Sequence, residues 1–297
     1  MPPSDAAVFA LALQQMNGVG RVTAGRLVRQ FENYDALLRY PREQVLTRLK
    51  RAPNKEALVS RLFDEDALRE RLREARDHAN QLAEKRIRLL APPDDGWPLG
   101  LDDAPREHRP VLLYAYGPEG VLQKPLVGLT AQPPLPDAPF ERAQSLVRAL
   151  AEAGPLPAAG ASNGFDVVMH KVASGVGHPS VAVAGCGLGQ VPGKARPVVT
   201  KAVRAGGVMC SPFEMRHGPF DHDKATRAHV LAALCRAVVF VAPQPDTPTW
   251  SAMTWALDAG RSVFGMEGED PLPERVHLLD SDVDFEWVAA AARQEDA

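Results

Sequence analysis

Along the first third of the chain the apolar positions recur at helical spacing. From Ala6 to about Arg86 they fall at intervals of three and four, with breaks at Asn17-Gly18-Val19-Gly20, Phe31-Glu32-Asn33 and Ala52-Pro53-Asn54, and no alternating β-branched run intervenes. The pattern predicts a small all-α domain over residues 1–86. Its last segment, Asp64 to Arg86, sets charges of both signs around the thin line Leu68, Leu72, Ala75 and Leu82, as expected of a long exposed helix.

Past Arg86 the pattern changes to short apolar runs at Ile87–Leu90, Val111–Tyr116, Leu126–Leu129, Leu156–Ala159, Ser180–Ala184, Val208–Cys210, Val238–Ala242 and Ser262–Met266. Between them lie helical patterns at about Pro139–Ala153, Phe165–Val176, Ala195–Ala205, Lys224–Leu234 and Ser251–Ala259. Strand and helix in alternation predict an α/β fold over residues 87–285, a doubly wound parallel sheet with right-handed crossovers. Ligands of such sheets bind outside the carboxyl ends of the strands. Residues 286–297 read as a short helical tail.

Composition narrows this little. Of the 297 residues, 45% are hydrophobic and 24% charged, values of a folded globular protein, and a net charge of −3 supplies no global pull toward polyanions. Binding of nucleic acid would rest on a local basic patch. Arginine outnumbers lysine 26 to 8 and isoleucine occurs once, a bias that blurs family motifs. Cys186, Cys210 and Cys235 form neither a zinc pair nor a disulfide framework and read as buried residues of a reducing compartment. The start M-P-P-S-D has no basic segment followed by an apolar core, and no run approaches a membrane span, so a cytoplasmic protein without membrane contact is expected.

Candidate chemistry gathers at the predicted carboxyl edge. After the run Leu156–Ala159 come Gly160 and Gly164, then Asp166 and His170, which share one helix face at i and i+4. Glycines there let backbone amides and a helix N-terminus approach a phosphate, and accommodate positive φ. The alternative is that Asp166 only caps the helix and His170 packs in the core. A second loop, Gly185-Cys186-Gly187-Leu188-Gly189, leads to Lys194 and Arg196, but it is too short for a dinucleotide fingerprint. A third stretch, Phe213 to His229, collects Arg216, His217, His222, Lys224, Arg227 and His229. Such a stretch suits a groove for single-stranded nucleic acid, with Phe213 or Phe220 for stacking, and a solvated loop or a metal site formed by His217, His222 and His229 are its other readings. Near the N-terminus, Asn17 to Leu27 is similar to a helix-hairpin-helix turn, with Arg21 and Arg26 nearby, or is a packing element. Ser162 stands in A-S-N-G rather than in a nucleophile elbow, and no catalytic set is found. Neither a cofactor nor a metal is expected.

Taken in order, these segments resemble the DNA-processing protein A family, also called DprA or Smf, from about Leu11 to Gly268. The family's Y-P-x-x-L and P-x-x-L-Y-x-x-G are echoed by Trp97-Pro98-Leu99 and by Pro110 to Gly117. Its S-G-x-A-x-G-I-D-x-x-A-H is echoed by Ala159-Gly160-Ala161-Ser162-Asn163-Gly164-Phe165-Asp166 with Met169-His170. Its G-x-G-L-D is echoed by Gly185 to Gly189, and its G-R-x-V-F-A-x-P-G by Gly260 to Gly268. The resemblance implies an extended Rossmann-like domain behind a SAM-like helical one, and a homodimer that binds and protects single-stranded DNA and loads the RecA recombinase. With the candidates read above, the expected DNA-binding site comprises Gly128, Gly160, Gly164, Asp166, His170, Lys171, Gly185, Gly187, Lys194, Arg196, Lys224, Arg227 and His229, with Asp166 and His170 shaping the pocket rather than reacting. The family's G-S-R reads Gly128-Leu129-Thr130 here, its R-N-R reads Arg227-Ala228-His229, its S-G-S-L reads Thr247-Pro248-Thr249-Trp250, and an acidic strand end is Ala242. Each lost charge-assisted contact lowers affinity, so weaker or different DNA binding is expected. The winged-helix appendage of some members is expected to be absent. Two other functions stay open: a nucleotide-binding enzyme or sensor similar to Rossmann-like phosphoribohydrolases, whose P-G-G-x-G-T loop is not found here, and a degenerate protein-interaction scaffold.

Overall fold

The computed structural model describes residues 2–49, 54–162 and 164–293; Ala52 and Pro53 of the expected break, Asn163 of the glycine loop and the last four tail residues lie outside them. The chain divides into two compact units, one reaching Trp97 and including Pro110–Ala115, the other made of Pro98–Arg109 and everything from Tyr116 onward. The first unit therefore extends past Arg86, because the strand after its last helix packs back on that helix.

The first unit holds helices α1 (Asp5–Gln14), α2 (Arg21–Phe31), α3 (Tyr34–Leu38), α4 (Arg42–Arg48), α5 (Lys55–Leu62) and α6 (Glu65–Glu84), then β1 (Ile87–Leu90) and the start of β2 (Leu113–Tyr116). Ser4 caps α1, its Oγ accepting the Ala7 N–H at 2.9 Å, and Asn33 caps α3 in the same way from Ala36. Residues Ala6 to Leu13 of α1 are all buried, so α1 is the central helix, and α6 lays Leu68, Ala75, Ala79 and Leu82 inward. The turn between α1 and α2 carries Gly18 at φ +82°, and Arg61 donates to the Asn17 carbonyl, so a side chain of the unit itself occupies that turn.

The second unit runs β3 (Leu126–Ala131), α7 (Asp137–Ala153), β4 (Leu156–Gly160), α8 (Phe165–Gly175), β5 (Val181–Val183), α9 (Arg196–Arg204), β6 (Val208–Ser211), α10 (Asp223–Leu234), β7 (Ala237–Val241), α11 (Pro248–Asp258), β8 (Ser262–Met266), β9 (His277–Leu278) and α12 (Asp284–Arg293). Its strands lie in the order β6-β5-β4-β3-β7-β8-β9 and are parallel throughout. The chain steps outward from β3 to β6, then α10 carries it back to β7 on the other side of β3, which makes the doubly wound topology. Because side chains alternate along a strand, Val127, Leu129, Val239 and Val241 pack with α7, α8 and α12, whereas α10 and α11 pack together against strands of the same sheet. No described helix is long and apolar enough to cross a membrane.

Each helix and strand pattern of the second unit corresponds to an element here, to within about three residues at its described ends. Two features left no pattern: a break at Pro41 divides the expected helical stretch after Asn33 into α3 and α4, and β9 is a two-residue exposed edge strand. The S-G-S-L counterpart proves to be a helix start: Thr247 Oγ1 accepts from the Trp250 N–H at 3.2 Å and Pro248 occupies the first turn of α11.

Candidate nucleic-acid interface

At the carboxyl end of β4 the chain turns sharply into α8. Gly164 sits at φ +76° and ψ −128°, a conformation that residues with a Cβ avoid, and nothing lies within 4 Å of where a Cβ would be. Gly160 is glycine for another reason. A Cβ on it would stand 2.1 Å from Asp166 Oδ2 and 2.5 Å from Arg227 Nη1, so the space beside the strand end belongs to an ion pair.

That pair is the centre of the site. Asp166, in the first turn of α8, accepts from Arg227 Nη1 at 2.8 Å, from the Ser162 hydroxyl at 2.5 Å and from the Ser162 N–H at 3.2 Å. Arg227, from α10, also donates to Ser162 Oγ at 3.1 Å. Their side chains are 18% and 8% exposed for Arg227 and Asp166 respectively. On its way the Arg227 side chain lies across Gly185, where a Cβ would be 3.3 Å from its Cδ. The arginine thus fills a trough between the ends of β4 and β5, floored by two glycines. It joins α8 to α10 over the carboxyl edge of the sheet.

His170, one helical turn beyond Asp166, is buried. The Gly160 carbonyl at 2.8 Å can only accept, so Nε2 carries the proton, and Nδ1 accepts from the buried Ser180 hydroxyl at 2.9 Å. Burial pushes its pKa below the usual histidine value, against the smaller opposing pull of that carbonyl and of Asp166. His170 is therefore a neutral strut that fixes the end of β4, and it offers no ring nitrogen to a ligand.

Several other expected contacts change character. Gly128 lies within β3, not at its edge, and is small because a Cβ would crowd Val238 Cγ1 at 3.2 Å and Cys235 Sγ at 3.3 Å. His229 is buried, donates from Nδ1 to the Ala225 carbonyl at 2.8 Å and stacks on His108 with ring centres 4.2 Å apart. Burial lowers its pKa, so it is not a protonated stand-in for an arginine. The Gly187 amide is spent on the His217 carbonyl at 2.8 Å and the Gly189 amide on the Met215 carbonyl at 3.1 Å. A Cβ on Gly187 would stand 2.0 Å from the Glu214 carbonyl oxygen, so this glycine makes room for loop 213–217 rather than for a phosphate.

Exposed cations follow the loops of the slot along the chain. Lys171 follows His170 on α8, and Lys194 precedes α9. Arg196 is exposed but donates to the carbonyls of Gly189 at 2.7 Å and Val191 at 3.2 Å, bracing its loop. Lys224 pairs with Asp221 at 2.9 Å, and that ammonium holds the Asp221 carboxyl below its usual range. Thr130, at the position of the family's arginine, is a buried strand residue.

The three cysteines are buried and free, and burial raises their thiol pKa values, that of Cys210 to about 12. Among the described residues no three His, Cys, Asp or Glu side chains converge as a metal would require. In the first unit, a cavity of about 740 Å³ is lined by Tyr34, Asp35, Arg69, Arg73 and Arg76 among others. Its lining sets Arg69, Arg73 and Arg76 against Asp5, Asp35 and Asp66, so its formal charges balance.

Sequence reasoning weighed Ser162 only as a nucleophile and did not single out Ser180, although one bridges the ion pair and the other donates to Nδ1 of His170. Lone serines four and ten residues from their partners leave no signal of that kind.

Comparison with known proteins follows the same lines. The sequence profile of the DNA recombination-mediator protein A family matches residues 88–277. Protein Smf of Escherichia coli strain K12 is 29% identical over 133 residues, which cover 44% of this chain and 36% of Smf; the match thus spans little more than a third of that relative. DNA processing protein A from Streptococcus pneumoniae superposes with a TM-score of 0.69 at 19% identity, covering 97% of this chain and 98% of the other. The Helicobacter pylori DNA processing protein A, described as having a single-stranded DNA binding mode, gives 0.58 at 15% identity, covering 71% and 98%. These likenesses establish the shared fold.

Proposed function

This chain belongs to the DNA recombination-mediator protein A family, and from that premise we propose that it binds single-stranded DNA along the carboxyl edge of the sheet of its second unit. One observation carries the reading: the Arg227 guanidinium is fixed in the glycine-floored trough by Asp166 and Ser162. An arginine oriented in advance loses little freedom on meeting a phosphate, and Lys171 and Lys194 add exposed charge for the backbone on either side. The protein holds its strand rather than cutting or modifying it. Action as a homodimer in the cytoplasm and delivery of the strand to the RecA recombinase belong to the same proposal and rest on family membership alone.

The proposal differs in detail from the family-derived contact set. Gly160, Gly164 and Gly185 shape the slot, Asp166 orients Arg227, and Arg227, Lys171 and Lys194 meet phosphates. Asp166 already accepts the Ser162 amide, so the loop itself offers less to an anion than its glycines suggest. The same occupancy favours a second reading, a protein-interaction scaffold that has lost most of its DNA affinity.

Fluorescence anisotropy with a labelled single strand of ~30 nucleotides, titrated at several salt concentrations beside a duplex of equal length, separates the two. Preference for the single strand, with log K falling linearly in log salt, supports DNA binding. Replacing Lys171 or Lys194 by alanine then lowers the slope by about 0.7 each. Absence of binding at low salt would overturn the proposal in favour of the scaffold.

A further inference from the structure

Beside the Arg227 slot, four aromatic rings follow one another along residues 213–222. Phe213 lies parallel to His217, with ring centres 4.5 Å apart and 6° between planes. His217 meets Phe220 edge-on at 5.3 Å and 86°, and Phe220 lies parallel to His222 at 5.5 Å and 6°. The ladder climbs from core to solvent: Phe213 is 8% exposed, Phe220 52%, and the His222 side chain 75%. Its middle rung is anchored, since His217 Nε2 donates to the buried Asp223 carboxylate at 2.6 Å.

We propose that the outer pair, Phe220 and His222, is a base-stacking subsite that takes a nucleobase of the same single strand whose phosphates meet Arg227; the proposal rests on the DNA-binding function argued above. A phenylalanine half open to water does not stabilise the fold by its exposed face, yet this ring is held in place. Gly218 lies against it, so that a Cβ there would stand 3.1 Å from Phe220 Cζ. Such a ring is ordered before a ligand arrives, which lowers the entropic cost of stacking. Every base has a π-face, so an aromatic platform beside cations is sequence-tolerant chemistry for single strands.

Its position follows from one short loop. Gly185 lies under Arg227, while Gly187 donates to the His217 carbonyl and is filled over by the backbone of Glu214 and Met215. Two residues of chain span at most ~7 Å, so the base of the ladder abuts the arginine slot. The exposed Arg216 and Lys224 sit on the segment that carries the rings, in keeping with a polyanion passing over it, although Asp221 neutralises Lys224 and Glu214 is also exposed.

The test uses a labelled oligothymidylate and a strand of equal length in which abasic sites replace the bases, so that charge is constant while stacking is removed. Wild-type protein is expected to prefer oligothymidylate. F220A and H222A should each weaken oligothymidylate binding by about 5- to 150-fold, the loss of one stacked base, with the abasic strand and the salt slope unchanged. F220W and H222Y should restore the preference. Both rings are exposed, so the variants keep the fold, which circular dichroism verifies. Equal loss on both strands, or no loss on either, would overturn the subsite while leaving DNA binding intact. A wild-type protein that binds neither strand would instead overturn the DNA-binding function and the subsite with it.

Discussion

Removing Arg227 should destabilise the second unit before it affects any ligand. The guanidinium compensates a carboxylate whose side chain is 8% exposed, at 2.8 Å, and is itself 18% exposed. Breaking a buried pair from one side costs about 3–5 kcal/mol. Asp166 keeps the two Ser162 donors after the change, and the pair lies near the surface, so about 2–3 kcal/mol is expected for R227A. D166N leaves the guanidinium without its counter-charge but near water, and about 1–2 kcal/mol is expected. In D166N/R227A neither charge is left alone, so the double variant should recover about 1–2 kcal/mol of the summed loss. Urea unfolding at pH 7.5, followed by circular dichroism through the second unit's transition, gives the four stabilities of the cycle. The coupling should survive added salt, because a largely buried pair is poorly screened. Additivity within about 0.5 kcal/mol would refute the claim that this pair holds the strand end to α10.

Other outcomes follow from the same geometry. The folded His170 and His229 resist protonation that their unfolded forms accept below the ordinary value of 6.5, so stability should fall as pH drops through that value, by up to about 1.4 kcal/mol per pH unit for each histidine. Denaturant midpoints at pH 7.5 and 5.5 check this, and H229F should flatten the dependence; equal slopes in variant and wild type would contradict it. G187A places a Cβ 2.0 Å from the Glu214 carbonyl, so it should displace loop 213–217 and speed hydrogen exchange there, whereas exchange like the wild type's would show that the loop does not depend on this glycine. D284A removes the carboxylate that accepts the Asp280 and Ser281 N–H groups at the start of α12, and a loss of about 0.5–2 kcal/mol is expected in thermal unfolding.

The alternation of apolar runs and helical patterns was enough to read the parallel sheet, because each strand of the second unit's interior is buried and each helix needs one apolar stripe. What the pattern does not carry is the reason for a particular residue. Gly160 and Gly164 look alike in sequence, yet one yields to an ion pair and the other to a backbone angle. His229 follows a family arginine by position, but its neighbours His108 and Trp255 come from remote segments and make it a core residue. Gly128 and Gly187 were legible as glycines and not as packing contacts, since Cys235 and Glu214 approach them only in the folded chain. The Phe213 stretch was visible as a cluster, whereas which ring faces water depends on how Asp223 pins His217.

Where a single strand touches the protein can be mapped directly. Single-stranded oligonucleotides containing 4-thiothymidine, crosslinked by near-ultraviolet light and mapped by mass spectrometry, report contact residues in the wild-type protein. A strand lying over the Arg227 slot gives crosslinks confined to residues 160–171, 185–196 and 213–227, and they are lost in R227A protein that remains folded. Crosslinks confined to the helices of the first unit, or to the β8–α12 end of the second, would contradict it.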